Sequence, residues 1–420
     1  MPIRRPRGPK PVLRHLPFLE LMAGAHEGEP LYVGSQASLL SLRLLDHWIA
    51  LGAELADVAA TAHRAARESV HAMTTDVEWR TSLSSIIDAI EAIQEPDAQP
   101  VLPRVYALAM LLEQRGLLAA AGDVYATVAK YVDSAAHLDL AYDAHMRHGY
   151  CLRHAGEFDW ADQAYANAGM LAARDRDRVR VVLSRLGRAK VVWDRGDLPA
   201  ADAAIMELLD EAESLDSAAT KALILHDRSG LAWVRNDYDN AIRWVFEAFK
   251  ISPDEYDRER MLGDLAGFLG AYGAHGPART ALRILEQSAR TQGGRWSARI
   301  NLMELGARTG SAMVFEQHRR ELANEPLPAA MRVNYLIEVG RGQMAFGAYA
   351  EARATLLEGM QLATSSGFNR ASFVAESLLK ELDVAERRQV RAEEVTAVEA
   401  PADISAELDR LLLEVSGSAA

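Results

Sequence analysis

Twelve histidines and one cysteine are where reactive chemistry would first be sought in this chain. His145 and His148 stand three residues apart, with Asp143 and His154 near them. One helical turn separates such a pair, and a pair of this kind is a common element of a zinc or nickel centre. A metal also needs a third or fourth converging ligand. None is evident in the spacing, and histidines on a solvated helix face explain the pair as well. Cys151 would need a paired base to act as a nucleophile. His148 lies three residues before it and could reach it, although a packed free thiol is the commoner role. Gly293-Gly294 is not followed by the Lys-Ser/Thr of a phosphate loop. Asp175, Asp177, Glu207, Asp210 and Glu211 fall at expected helix ends or solvent faces. These residues commit to no reaction, so the chain is read as a non-enzyme without cofactor or metal, with an enzyme whose site is built from scattered residues as the remaining alternative.

What would position such side chains is helical. The chain has 420 residues, 49% of them hydrophobic but only 7% aromatic, with alanine throughout. That length exceeds one compact core, and the composition favours helices packed closely through small side chains. A net charge of −13 argues against nonspecific nucleic-acid binding, which needs Lys and Arg to neutralise phosphates. A single cysteine permits no internal disulfide, and no run of about 18 apolar residues suggests a membrane span. A cytoplasmic protein is expected.

The chain repeats. Gly116, Gly156, Gly196 and Asn236 are 40 residues apart, and Gly273, Gly310 and Gly347 follow at 37. Gly and Asn tolerate the left-handed conformation that closes a helix. Five residues after the markers stand Ala121, Ala161, Ala201, Ala241, Ala278, Phe315 and Ala352. Twelve before these stand Ala109, Gly149, Ala189, Ser229, Ala266, Met303 and Gly340. Four after the alanines come Tyr125, Tyr165, Ile205, Val245, Leu282, Arg319 and Leu356. The pattern predicts two antiparallel helices per repeat, with small residues letting the backbones approach and a larger one filling the space beside them.

A small residue, alanine twelve later and an apolar residue four further on resemble the tetratricopeptide repeat (TPR) family. Repeat two shows it best, in Gly149, Ala161, Tyr165 and Ala168. The resemblance covers roughly residues 98–370 and departs in period, which is about 34 residues in the family. It implies an all-α fold: a right-handed TPR-like α-solenoid of about seven helix pairs, with repeat six (Met303, Phe315, Arg319) degenerate. It also implies that the first helix of each pair lines a concave binding face. The expected groove residues are Tyr106, Met110 and Glu113; Met146, Tyr150 and Arg153; Leu183, Leu186, Lys190 and Trp193; Leu223, His226 and Trp233; and Ile337, Arg341 and Met344. Tyr, Trp, Met and Arg are enriched in binding cores, while an aromatic at helical spacing equally well packs between helices. The carboxylate clamp of some TPR proteins is not reproduced, since Met110, Tyr150 and Lys190 stand where it wants Asn. Arg153, Lys190 and His226 could still meet acidic groups of an extended peptide. The expected function is a protein- or peptide-binding scaffold; its oligomeric state is not legible. The same architecture also resembles bacterial peptide-responsive regulators, which implies as an alternative a sensor whose N-terminal bundle moves on binding.

Outside the repeats, residues 1–35 are expected as a flexible tail, with basic Arg4, Arg5, Arg7, Lys10 and Arg14. Residues 36–97 read as a helical bundle or cap, with helices near 36–51, 53–73 and 77–94 and a core of Leu44, Leu45, Trp48, Ile49 and Leu55. A DNA-binding helix-turn-helix over Leu55 to Met73 is rejected, because Ala62-His63-Arg64-Ala65 offers no turn. Thr75-Asp76-Val77-Glu78 and Ser252-Pro253-Asp254-Glu255 read as capping boxes, and Asp197 as a cap before Leu198-Pro199. The array is bounded at 98–383 and a linker at 384–402. Residues 403–420 hold an amphipathic helix (Ile404, Leu408, Leu411, Leu412, Val415), expected to fold back onto the concave face or the last repeat.

Overall fold

The computed structural model describes residues 14–51, 56–92, 97–365, 368–388 and 402–417. Among them every regular element is an α-helix. The chain divides into two compact units, residues 1–176 and 177–420.

The first unit opens with α1 (Leu16–Ala23), α2 (Pro30–Leu51), α3 (Ala56–His71) and α4 (Val77–Glu91). Two repeat pairs follow: α5 (Leu102–Gln114) with α6 (Leu118–Tyr131), and α7 (Leu138–His154) with α8 (Phe158–Arg174). The second unit holds five pairs: α9 (Arg178–Asp194) and α10 (Leu198–Glu213), α11 (Ala218–Val234) and α12 (Tyr238–Ile251), α13 (Glu255–Tyr272) and α14 (His275–Ser288), α15 (Gln292–Arg308) and α16 (Ala312–Ala323), α17 (Ala329–Ala345) and α18 (Tyr349–Ser365). It ends with α19 (Asn369–Arg388) and α20 (Ala402–Gly417).

All seven markers stand between the helices of a pair with φ between 62 and 95°. The residue after each donates its N–H to the carbonyl five residues back, as Glu157 does to Leu152 at 2.9 Å and Ala274 to Leu269 at 2.8 Å. That bond satisfies a carbonyl the helix end would otherwise leave open. The alanine column is sealed: Ala121, Ala161, Ala201, Ala241, Ala278, Phe315 and Ala352 are at most 1% exposed. The small and large columns interlock. A Cβ on Gly149 would stand 3.0 Å from the Tyr165 ring, and one on Gly340 would stand 2.6 Å from Leu356 Cγ. The longer period is spent on the first helices, since α7, α9, α11, α15 and α17 each run 17 residues.

Repeat six departs as its columns foretell. Phe315 takes the alanine place, and its ring extends to Gly342 of the next pair, where a Cβ would stand 2.0 Å from it. Phe346 packs on the same ring at 5.4 Å between centroids. Arg319, in the large apolar column, turns out of the interface to Glu316 at 2.8 Å. Of the preceding pair, α17 packs more on α15 than on the short α16.

The expected tail is too long. Helix α1 lies within residues 1–35, and α2 begins at Pro30. Phe18 is fully buried. The apolar run Phe18, Leu19, Leu21 and Met22 supplies the seat, while Gly24, Gly28 and Pro30 merely punctuate two helices. His15 anchors this end in the left-handed region (φ 62°). It is 3% exposed, with Nδ1 at 2.5 Å from Asp123 of α6 and Nε2 at 3.4 Å from Asp46 of α2. Arg14 and the Tyr131 hydroxyl also meet Asp46, at 2.9 and 2.5 Å. Helix α3 is continuous through Ala62-His63-Arg64-Ala65. Leu44 and Leu45 are core, with Trp48 and Ile49 packed against it; Leu55 lies outside the described residues.

Two capping assignments shift. Asp76, not Thr75, caps α4 by accepting from the Trp79 N–H at 3.0 Å. Asp254 caps α13 by accepting from Asp257 at 2.8 Å, while Ser252 closes α12. In both cases a carboxylate stands closer to the first free N–H groups, and it is the stronger acceptor. Asp197 caps α10 as expected.

Helix α19 runs to Arg388, past the expected boundary at 383, and most of the expected linker lies outside the described residues. Helix α20 does not sit on the last repeat or on the first helices. It lies on the second helices, chiefly α14, with Ile404 and Leu408 buried among residues that include Phe246, Phe249, Ile284 and Leu285. Asp403 reaches Arg243 of α12 at 3.4 Å, and Asp409 accepts from Thr280 of α14 at 3.3 Å. The apolar stripe of α20 is matched by an uncovered apolar strip on these helices, which the repeat columns do not reveal. No described helix is long and apolar enough to cross a membrane.

Two tests follow from the packing and the anchor. Gly342→Ala should destabilise the second unit by roughly 1–3 kcal/mol through overpacking against Phe315. Adding Phe315→Ala restores the alanine column, and the double variant should melt above the sum of the two single losses; strict additivity would refute the interlock. For His15, burial lowers its proton affinity, but the hydrogen bonds to Asp123 and Asp46 outweigh this and raise its pKa to about 9. A group raised on folding stabilises fully below its unfolded value, near 6.5, and loses that contribution as pH rises through about 9. His15→Gln should therefore lower stability by about 1–3 kcal/mol at pH 6. The gap should close by pH 10 in denaturant titrations; a pH-independent gap would assign His15 to packing alone.

Candidate functional site

A second face of the first helices, turned away from the sealed column, is set by their spacing. Relative to the small column, the positions two before, one after and five after fall at i, i+3 and i+7, which is one stripe of a helix. In the first unit they give Arg147, Tyr150 and His154. In the second they give Lys190 and Asp194, Asp227 and Gly230, Asp264, Gly267 and Ala271, then Asn301, Glu304 and Arg308, and finally Glu338 and Arg341.

In the first unit, α5, α6 and α7 bring Tyr106, Glu113 and Tyr125 beside Arg147. Tyr106 packs edge-on to Tyr125 at 5.3 Å. The Tyr125 hydroxyl donates to Glu113 at 2.8 Å, and Arg147 reaches Glu113 at 2.9 Å. Burial together with the Glu113 bond holds the Tyr125 hydroxyl protonated, well above its usual range. Tyr150 packs on His154 at 4.4 Å, with the Arg153 guanidinium over its ring at 5.9 Å. Met110 is exposed and Met146 half-buried.

Cys151 faces the other way. It is 2% exposed and lies against Gly122 of α6, where a Cβ would stand 3.0 Å from its own. Burial pushes its thiol up to about 12, so it carries no thiolate at neutral pH. Burial, with His145 beside it, pushes His148 down to about 4, and burial lowers His145 as well. Asp177 caps α9, and Glu211 and Glu207 face Arg185. Among the described residues, the ligand-type side chains that converge are Glu286, His318 and Glu321, none of them singled out by spacing.

In the second unit, the expected Lys190 and His226 are each held by an acid. Lys190 pairs with Asp227 of the next first helix at 2.9 Å. His226 Nε2 meets Asp264 of α13 at 2.6 Å, and Arg260 approaches its Nδ1 at 3.3 Å. Trp193 rests on α11, where a Cβ at Gly230 would stand 2.9 Å from its ring. Trp233 stacks on Phe268 of α13 at 4.6 Å and 7°, with Tyr238 tilted against it at 4.7 Å. Both tryptophans are half-buried and bridge from one first helix to the next. Leu186 and Ile337 are core, and Leu183, Leu223 and Met344 pack against core clusters.

Further along the stripe lies a cavity of about 100 Å³ lined by Gly267, Gly270, Ala271, Asn301, Glu304 and Arg308, among others. Arg308 pairs with Glu304 at 2.8 Å and Arg341 with Glu338 at 3.1 Å. Burial, and then Glu304, push Glu338 up to about 7. Spacing had not singled out Arg147, Asp227, Asp264, Asn301, Glu304 or Glu338. The available signal was the column two before the small residue, which turns polar from Asp227 onward.

No protein-family profile and no curated protein matches the chain. Similar solved structures include a Rap protein complexed with Competence and Sporulation Factor, at 14% identity and a TM-score of 0.41, covering 84% of this chain and 99% of that one. The apo form of RapI is similar at 12% identity and a TM-score of 0.43, covering 83% of this chain and 98% of that one. A Podosopora anserina putative kinesin light chain with nearly identical TPR-like repeats shares 12% identity over 54% of this chain and 95% of its own, with a TM-score of 0.31. At such identities and scores the helix-pair repeat fold is read from this chain's own marker-closed pairs and their interlocking columns.

Proposed function

We propose that the chain binds a protein or peptide, held as an extended segment along the first-helix stripe of the second unit. The carrying observation is the gap at Gly267, Gly270 and Ala271 facing Asn301 and the pair Glu304–Arg308, with the pair Glu338–Arg341 on the next first helix. An extended chain presents N–H and C=O groups on each residue and needs fixed partners of both kinds. Asn301 offers both from one amide. The paired charges supply an acceptor and a donor already held in place, which lowers the ordering cost of binding. Glu338, near 7, can donate or accept at neutral pH. Gly267, with nothing within 4 Å of a built Cβ, leaves room for a main chain to approach. The buried thiol of Cys151 and the acid-paired Lys190 and His226 support binding rather than catalysis.

A random heptapeptide library displayed on phage tests this. Peptides enriched on the wild type should bind at least ~10-fold more weakly to Gly267→Gln and to Asn301→Ala, a loss of about 1.4 kcal/mol, with unchanged melting. Enriched peptides that bind both variants as tightly as wild type would move the site elsewhere. Trp233→Ala is the contrasting variant. Its stack on Phe268 should cost about 2–3 kcal/mol of stability before any effect on binding is read.

A further inference from the structure

Helix α14 of repeat five and α16 of repeat six bring side chains together beside the repeat where the packing columns fail. On this second-helix side, Glu286 of α14 meets His318 and Glu321 of α16, and one ligand atom from each lies within 4.8 Å of the others. His318 and Glu321 are three apart on one helix, with Nδ1 and Oε2 at 3.0 Å. His318 is 7% exposed.

The surroundings orient these groups. Arg299 holds Glu286 through Oε1 at 2.9 Å, and the Gln317 amide donates to Glu321 Oε1 at 3.0 Å. Each carboxylate is thus gripped by one oxygen, while Glu321 turns its other oxygen toward the imidazole. Partners that grip a ligand from behind are what fixes a metal's donors. The charge is also unbalanced. Arg299 is shared with a third carboxylate, Glu325, at 3.9 Å, and Glu325 also accepts from the Trp296 indole at 3.1 Å. Three carboxylates therefore share one guanidinium and one imidazole.

We propose that Glu286, His318 and Glu321 form a divalent transition-metal site that staples α16 to α14. One imidazole and two carboxylates suit zinc or manganese rather than a soft or purely oxygen-seeking ion. The staple adds to repeat six, where α17 packs more on α15 than on α16 and Arg319 pairs with Glu316 instead of filling the apolar column. The site is separate from the first-helix stripe, so its failure leaves the binding proposal untouched.

Full-length protein stripped with a chelator is titrated with zinc and, separately, manganese chloride by calorimetry, with melting followed in parallel. The expected result is one equivalent bound and a raised melting temperature. His318→Gln and Glu286→Gln should each weaken affinity by at least ~10-fold. The half-exposed Glu321→Gln serves if either fails to fold. His145→Gln/His148→Gln should leave the isotherm unchanged. No binding by the wild type, or an isotherm that all three ligand variants share with it, overturns the site. Loss of binding in the His145/His148 variant instead would place the ion in the first unit and equally overturn it.

Discussion

The close approach of two helix backbones through a sealed small-residue column is the constraint on which the rest of the structure depends. An alanine that is essentially unexposed at the crossing allows only one arrangement of its neighbours. A larger residue one turn on must fill the flanking space, and the chain must reverse within a few residues to bring the second helix back. The reversal is possible because Gly, or once Asn236, stands where φ is positive. Column and cap are therefore one device, repeated seven times.

Where the device changes, the consequences pass to neighbours. Phe315 cannot replace alanine unless another backbone gives way, and Gly342 is where it does. The ring then ties α17 to α16 at that point, while the remaining contact of α17 with this pair is made mostly by α15. The polar grouping of Glu286, His318, Glu321, Arg299 and Glu325 lies where α14 and α16 meet beside this irregular repeat. At the other end of the chain an ionic device is used instead. His15, fully enclosed, bridges acids on α2 and α6 and fixes α1 against both.

The first helices carry two kinds of residue for the same reason. Positions that point between neighbouring first helices, such as Trp193 and Trp233, set their spacing. Positions one step round the helix, such as Asp194, Gly267 and Arg308, are left to solvent. In the second unit aromatic bulk therefore marks the joints, while the stripe proposed to meet a ligand is built from small residues and paired charges. The pairing matters electrostatically: Lys190 with Asp227, and Arg341 with Glu338, hold donors and acceptors in place without a net field.

The sequence by itself determined the helix class, the seven reversals and the sealed columns. Each is a local or single-period property: a positive φ needs Gly or Asn, and a tight crossing needs a small side chain. It also marked repeat six as irregular through Met303, Phe315 and Arg319. Only the tertiary structure decided what depends on distant partners. Helix α1 is seated by acids about 30 and 108 residues away. The seat of α20 on α14 joins segments 129 residues apart. Of the expected groove positions, Trp193 and Trp233 pack between neighbouring first helices while Tyr150, Lys190 and Arg341 stay on the stripe, because a shift of one residue rotates a helix face by about 100°. Periodicity identifies a face, but only the neighbouring helix decides whether that face is covered.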